Sequence, residues 1–264
     1  MAFNVNELII DRVRSMTLHD LADGSMLCRL TQLAEPSLNC TAEGEEVTDA
    51  LGSRITTMYR AKSAEFTANN ALFSVDLAAM QYGADKEQGA AGSEVLDYTY
   101  EILKFAEGDA AEGISLAHTP ANAEEIRYAY ELVDGGIGRT FTAGAAPSAT
   151  EFQVNAGKII PPTDFTGQLY VEYTFKNENA VRVLNSASKF PEACSAVVYV
   201  MFRDVCNENL VYSGKIIIPK AKLNPESIEI ALTSTGQHPF SMLINRDYCA
   251  NEGEDTLFEI IVSE

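Results

Sequence analysis

The residues best equipped for chemistry in this chain are its three histidines, its five cysteines and a few runs of carboxylates. His19, His118 and His238 are scattered, and no HxxxH, HExxH or Cys/His cluster accompanies them. A zinc site needs three or four such ligands at close spacing, so the histidines read as loop or strand-end residues. Cys28, Cys40, Cys194, Cys206 and Cys249 contain no CxxC pair, and their number is odd. Cys28 and Cys206 fall inside apolar runs, where a thiol behaves as a small hydrophobe. The set reads as reduced residues of a protein made in a reducing cytoplasm. Carboxylates cluster at Glu43 to Glu46, Asp109 to Glu112 and Glu252 to Asp255. None has the one-three-five spacing with glycine of a calcium loop, and no pair is singled out for glycoside hydrolysis. Gly135-Gly136-Ile137-Gly138-Arg139 lacks dinucleotide-binding spacing. Gly157-Lys158 and Gly214-Lys215 lack the remainder of a phosphate-binding loop, and turns account for all three. No nucleophile elbow is present. The expectation is a protein that is not an enzyme, with no catalytic residue, no cofactor and no metal.

More informative are the basic residues of one long extended run. Arg54 to Thr67 contains no Gly or Pro, and strict alternation places Arg60 and Lys62 on the face of Met58 and Phe66. An acidic turn at Glu43-Gly44-Glu45-Glu46 precedes it. In Leu8 to Leu18, likewise, Arg12 and Arg14 stand in line with Leu8 and Ile10. A strand whose faces carry both apolar and ionised side chains is poorly served by one monomeric core; a second copy alongside would complete it. Arg54, Arg60, Lys62, Glu45 and Glu46 are therefore candidate subunit-interface residues. Ion pairing within one chain is the other reading, and the sequence leaves both open.

The elements around these residues are mostly strands. Asp23-Gly24 turns Leu8–Leu18 into Met26–Leu33. A helix is expected over about 69–83, capped by Asn69 or Asn70, with Leu72, Val75, Ala79 and Tyr82 as its apolar stripe and Gly83 as its left-handed end. Strands follow at Tyr98–Phe105 and Ile114–His118. In Glu125–Val133 the period of two predicts Ile126, Tyr128, Tyr130 and Leu132 on the buried face. The Gly-, Ala- and Ser-rich stretch Asp134–Thr150 suggests a boundary near 145/146. It would separate an N-terminal β domain with a flanking helix, 1–145, from a C-terminal β domain or continuation of the same sandwich, 146–264. In the second half, Leu169–Phe175, Ala196–Cys206, Leu210–Ile218, Ser227–Thr233 and Leu257–Val262 read as strands, with Asn207–Asn209 as a hairpin turn. The fold class is mainly β, a sandwich or barrel with one flanking helix and room for a second, Ig-like module.

Composition narrows the function. With 264 residues, 46% of them hydrophobic, the chain can bury a sizeable core. A net charge of −19 repels nucleic-acid phosphates and anionic membrane surfaces. No run approaches the roughly 20 apolar residues of a membrane span, and the first residues do not form a signal peptide.

Two stretches carry a family resemblance. Asp49-Ala50-Leu51-Gly52-Ser53-Arg54-Ile55-Thr56-Thr57-Met58-Tyr59-Arg60-Ala61-Lys62-Ser63-Ala64-Glu65-Phe66, leading into Asn69 to Phe73 and Ala78 to Gly83, resembles structural proteins of tailed bacteriophages, the major tail (tube) class in particular. Lys215–Lys222, Ser234–Phe240, Asp247–Cys249 and Leu257–Ile261 are similar to the C-terminal parts of such virion proteins. The resemblance implies a homo-oligomer of stacked, commonly hexameric rings in a virion tail. Other tail proteins would be its partners, and genomic DNA would pass through without specific binding. It implies synthesis in the bacterial host cytoplasm and no membrane association. Capsid decoration, a head–tail connector or another tail-associated protein is the alternative, and a carbohydrate-binding β module a third reading.

Overall fold

A computed structural model describes residues 7–107, 112–205, 207, 209–226, 228–230, 232–233, 236–246 and 256–263. It is mainly β, with strands β1 (Leu8–Asp20), β2 (Met26–Leu30), β3 (Leu33–Thr48) and β4 (Arg54–Asn70), then helix α1 (Val75–Tyr82). Strands β5 (Lys86–Gln88), β6 (Val95–Phe105), β7 (Ile114–Ser115), β8 (Tyr128–Val133), β9 (Gly136–Ala143), β10 (Glu151–Asn155), β11 (Lys158–Ile160), β12 (Gly167–Asn177) and β13 (Val181–Val183) follow. The chain finishes with β14 (Ala193–Asp204), β15 (Val211–Leu223), β16 (His238–Ile244) and β17 (Glu259–Ser263).

Contacts divide the chain into two units, one formed by residues 1–86 with 183–264 and the other by residues 87–182. The position 145/146 suggested by composition lies inside the second unit, between β9 and β10. Strand pairing explains the nesting: β1 finds its partner in β14, far along the chain, whereas β6 pairs with β12 within 87–182.

In the first unit one sheet runs β2-β1-β14-β15-β16-β4-β3, with β17 added to β15. The two ends of this path are consecutive in the chain, and the sheet curls into a nearly closed barrel. β14 is apolar along most of its length because it lies between β1 and β15, and it turns Ala196, Val198 and Val200 inward. Met16, Leu18, Phe66, Ile218, Leu223, Phe240 and Met242 complete the core. Each such side chain contributes roughly 1.5–3 kcal/mol by leaving water.

Helix α1 closes part of this unit, and it begins later than the sequence suggested. Asn69 and Asn70 remain in the β4 ladder, opposite Pro239 and His238. The cap is Ser74, whose hydroxyl accepts from the Leu77 N–H at 3.2 Å. Leu72 therefore falls outside the helix and is exposed, and the buried positions are Leu77, Ala78, Ala79 and Gln81. Gly83 ends the helix as expected, with φ of 62°, and a Cβ there would meet the Phe190 carbonyl oxygen at 2.1 Å.

The second unit carries the order β6-β12-β8-β9-β10-β11-β7 over a core of Leu103, Phe105, Phe141, Phe152, Ile159, Leu169 and Val171. Two hairpins turn on left-handed pairs. Asp134-Gly135 (φ 49° and 79°) joins β8 to β9, and Ala156-Gly157 (φ 47° and 78°) joins β10 to β11. That is the backbone a two-residue type I′ turn requires, so two of the three glycine motifs are turns. The third is not: Gly214 lies within β15, where the Phe202 ring crosses it 2.1 Å from where a Cβ would sit.

Three further expectations are corrected. The buried residue of β8 is Ala129, while Tyr128 is exposed. Ile126 is buried, but it belongs to the chain following a 3-10 turn at 123–125, so its parity does not carry into the strand. Ala129 stands opposite both Phe141 and Val171, where a small side chain leaves room for the Phe ring. Glu43–Glu46 is not a turn but part of β3; the turn falls at 49–53. The described residues 228–230 and 232–233, expected as part of a strand, form none. Cys206, 109–111, 247–249 and 252–255 lie outside the described residues.

Candidate subunit interface

The strands β3 and β4 pair along their whole length, from Leu33↔Asn70 to Thr48↔Arg54, but only their first part belongs to the barrel. β16 covers the edge of β4 from Ala64 to Asn70. Beyond that point the hairpin continues as a two-stranded arm. From Asn39 to Ser63 no residue is buried, and only Val47 and Thr57 are even half-buried. Among the described residues no strand pairs with either outer edge of this arm. Two rows of backbone N–H and C=O groups therefore face outward, a template for strand addition by another chain.

The arm carries all five candidate interface residues. Arg54 pairs with Glu46, and Arg60 Nη2 lies 3.4 Å from Glu45 Oε2. These pairs lie within one chain, so that reading of the charges is realised in the free subunit. They are exposed, and pairs of this kind are worth about 0.2–1 kcal/mol each, too little to hold the arm by themselves. Lys62 stands opposite Ala42. Ala61 beside it adopts φ of 49°, and the register shifts between Ala42 and Glu43. Alternation therefore cannot be carried unbroken from Phe66 to Met58, and the common face expected for Arg60, Lys62, Met58 and Phe66 is interrupted. Phe66, on the barrel side of the bulge, is buried, whereas Met58 is not.

The apolar residues of the arm are what the charge pattern did not disclose. Leu51 at the tip is 92% exposed, Tyr59 73% and Ile55 65%. A monomer gains nothing by holding these side chains in water; a partner surface that removes them gains about 25 cal/mol per Å². Their signal in the sequence was large apolar residues interspersed with Arg and Thr in a run without breakers.

The first unit also has a concave apolar surface. An open cleft of about 860 Å³ is lined by residues of β1, β3, β4, β14, β15 and β17, among them Ile10, Val13, Leu38, Phe66, Phe202 and Ile260. Ile10 and Ile260 are themselves more than half exposed.

The described cysteines and histidines outside the arm sit in packed or hydrogen-bonded settings, apart from Cys40. Burial pushes the thiols of Cys28 and Cys194 up to about 11, while Cys40 is exposed at the root of the arm. His19 contacts the Thr17 hydroxyl at 3.0 Å and His118 stacks on Phe175 at 4.0 Å. Among the described residues no three His, Cys, Asp or Glu side chains come together as a metal site. No described helix is long and apolar enough to cross a membrane.

The described residues thus form a β-rich barrel with a single α-helix and an uncovered two-stranded arm. Residues 8–258 match the YomU/Tube protein family, and the chain belongs to it. The family's name points to a tube-type structural protein of phage. Among curated proteins none matches the chain.

Proposed function

We propose that this chain is the subunit of a phage tail tube. Copies associate head to tail into rings, six to a ring, and the rings stack into a conduit through which DNA passes. The β3–β4 arm carries this reading. It offers two open strand edges and an exposed apolar crest that its own subunit leaves uncovered, and family membership supports it. The uncovered arm and the apolar cleft lined by β1 and β17 are unlike surfaces. A contact that matches unlike surfaces repeats from copy to copy, and it closes as a ring or propagates as a filament. A net charge of −19 suits a wall past which DNA slides without adhering. In this reading the protein is structural, takes no cofactor and resides in the virion tail with other tail proteins.

Negative-stain electron microscopy of the purified chain, with light scattering for mass, tests the proposal. Rings or tubes are expected. A monomer that persists at high concentration and is missing from purified phage particles would sink it. Reversing the arm charges with Arg60→Glu and Lys62→Glu should raise the concentration needed for assembly several-fold and leave the melting temperature unchanged. Unaltered assembly in this double variant would remove both residues from the contact.

A further inference from the structure

The outward face of the β6-β12-β8 sheet in the second unit is covered with tyrosine. Tyr98, Tyr100, Tyr128, Tyr130 and Tyr170 lie there, five of the chain's 11. Tyr98, Tyr100 and Tyr128 are each more than half exposed. Three of the rings, Tyr100, Tyr130 and Tyr170, pack on one another. Tyr100 stacks on Tyr170 with centroids 5.2 Å apart, and the Tyr170 hydroxyl donates to Glu172 at 2.7 Å. The phenols of Tyr98 and Tyr170 beside it hold the Glu172 carboxyl below its ordinary value. Glu172 stands opposite Tyr100, and a groove of about 280 Å³ runs beside it between Tyr98 on β6 and Tyr128 and Tyr130 on β8. Rings on β6 and β8 are two strand spacings apart, roughly 10 Å, the span of a disaccharide.

We propose that this face binds a neutral glycan chain, with pyranose rings lying on the tyrosine faces and their hydroxyls donating to Glu172. Charge separates this occupant from others. Residues 87–182 contain 15 Asp and Glu against 6 Lys and Arg, a net charge of −9. The outward positions of β6, β12 and β8 carry as charges only Lys104, Lys176 and Glu172, and Glu125 and Arg127, which also line the groove, add one charge of each sign. A nearly neutral patch within a strongly anionic unit turns away polyanions at long range and attracts no polycation at contact. Ordered aromatic rings give a large flat contact at low entropic cost. The hydrogen-bonded carboxylate at their edges is the acceptor that a polyhydroxyl ligand needs and an apolar protein surface does not. This inference is independent of the tube reading, because the arm belongs to the other unit.

Native gels cast with glycol chitin, hydroxyethylcellulose, laminarin or dextran test it on the full-length protein. Retardation is expected in at least one of them. Tyr98→Ala with Tyr128→Ala should weaken that binding by about tenfold, since both variants remove a flat stacking surface. Glu172→Gln, which keeps the shape of the side chain, should weaken it several-fold and serves alone if the double variant does not fold. Assembly of every variant is scored by electron microscopy in parallel, and it should be unchanged. No retardation in any gel, or equal retardation of wild type and variants, overturns the proposal. It is also overturned if the variants lose self-association while their retardation is unaltered, which makes this face a contact between copies.

Discussion

At the start of β16, His238 is hydrogen-bonded through both ring nitrogens. Its Nδ1 accepts from the Ser74 N–H at 3.4 Å, so its Nε2 carries the proton and donates to Gln81 Oε1 at 2.7 Å. Burial holds the imidazole below its ordinary value of 6.5, and a second proton on Nδ1 would face a donor. The unfolded chain therefore binds this proton first on acidification. The stability contributed by neutral His238 is full above pH 6.5 and is lost as the pH falls toward the folded-state value. Melting temperatures measured from pH 7.5 to pH 5 (round values for the scan, about one unit either side of an ordinary histidine) should decline, and His238→Gln should flatten that decline. His238→Ala should cost about 1–3 kcal/mol in a denaturant titration, because Ser74 and Gln81 lose their partner. The cysteines give a second check at this scale. A thiol-alkylating reagent on the native protein should modify Cys40 and spare Cys28 and Cys194, whose burial keeps them as thiols. If assembly covers the root of the arm, Cys40 labelling should slow in tubes; equal rates in both states would place that root outside the contact.

Among the elements, the arm is separable from the barrel that holds it. Replacing Glu45–Met58 by Asn-Gly keeps the pair Gly44↔Tyr59 and closes the hairpin with a two-residue turn. Since no side chain from Asn39 to Ser63 is buried, this variant should melt within a few degrees of wild type by calorimetry and yet fail to form rings. A large drop in melting temperature would mean that the arm supports its own subunit. How far such elements were legible in the sequence varied with what fixed them. Gly83 announced the helix end because a left-handed residue and a close carbonyl both demand it. The helix start was misplaced because Asn70 is as good a cap as Ser74, and only the β16 ladder, which holds Asn70 opposite His238, decides between them. The run without breakers predicts β4, but β3 is not foreseen, because Glu43–Glu46, three carboxylates around a glycine, reads as a turn. Pairing with a strand as long as β4 extended the ladder through them. The tyrosine face was hidden by the rule that aromatic residues point inward. Ala129, opposite Phe141, takes the inward position instead.

The whole molecule carries a net charge of −19, so copies repel at long range and assembly would have to come from local surfaces. Raising the ionic strength from about 0.01 M to about 0.15 M shortens the screening length from about 30 Å to about 8 Å. Scattering should therefore show assembly at lower protein concentration in the higher salt. The opposite trend would mean that ion pairs between copies, such as those available to Arg54, Arg60 and Lys62, outweigh the general repulsion. The nesting of one unit within the other has a further effect, on how the molecule is made. β1 pairs with β14 from Leu8↔Asp204 to Asp20↔Cys194. On the ribosome the opening strands must wait for more than 170 residues of later chain, about 10 to 35 s at ordinary elongation rates. The inserted unit is complete before they find their partner. During that delay Met16, Leu18 and the β1 edge that β14 will cover lie open to solvent, so the nascent barrel, and not the finished subunit, is the stage at which this protein most needs a chaperone.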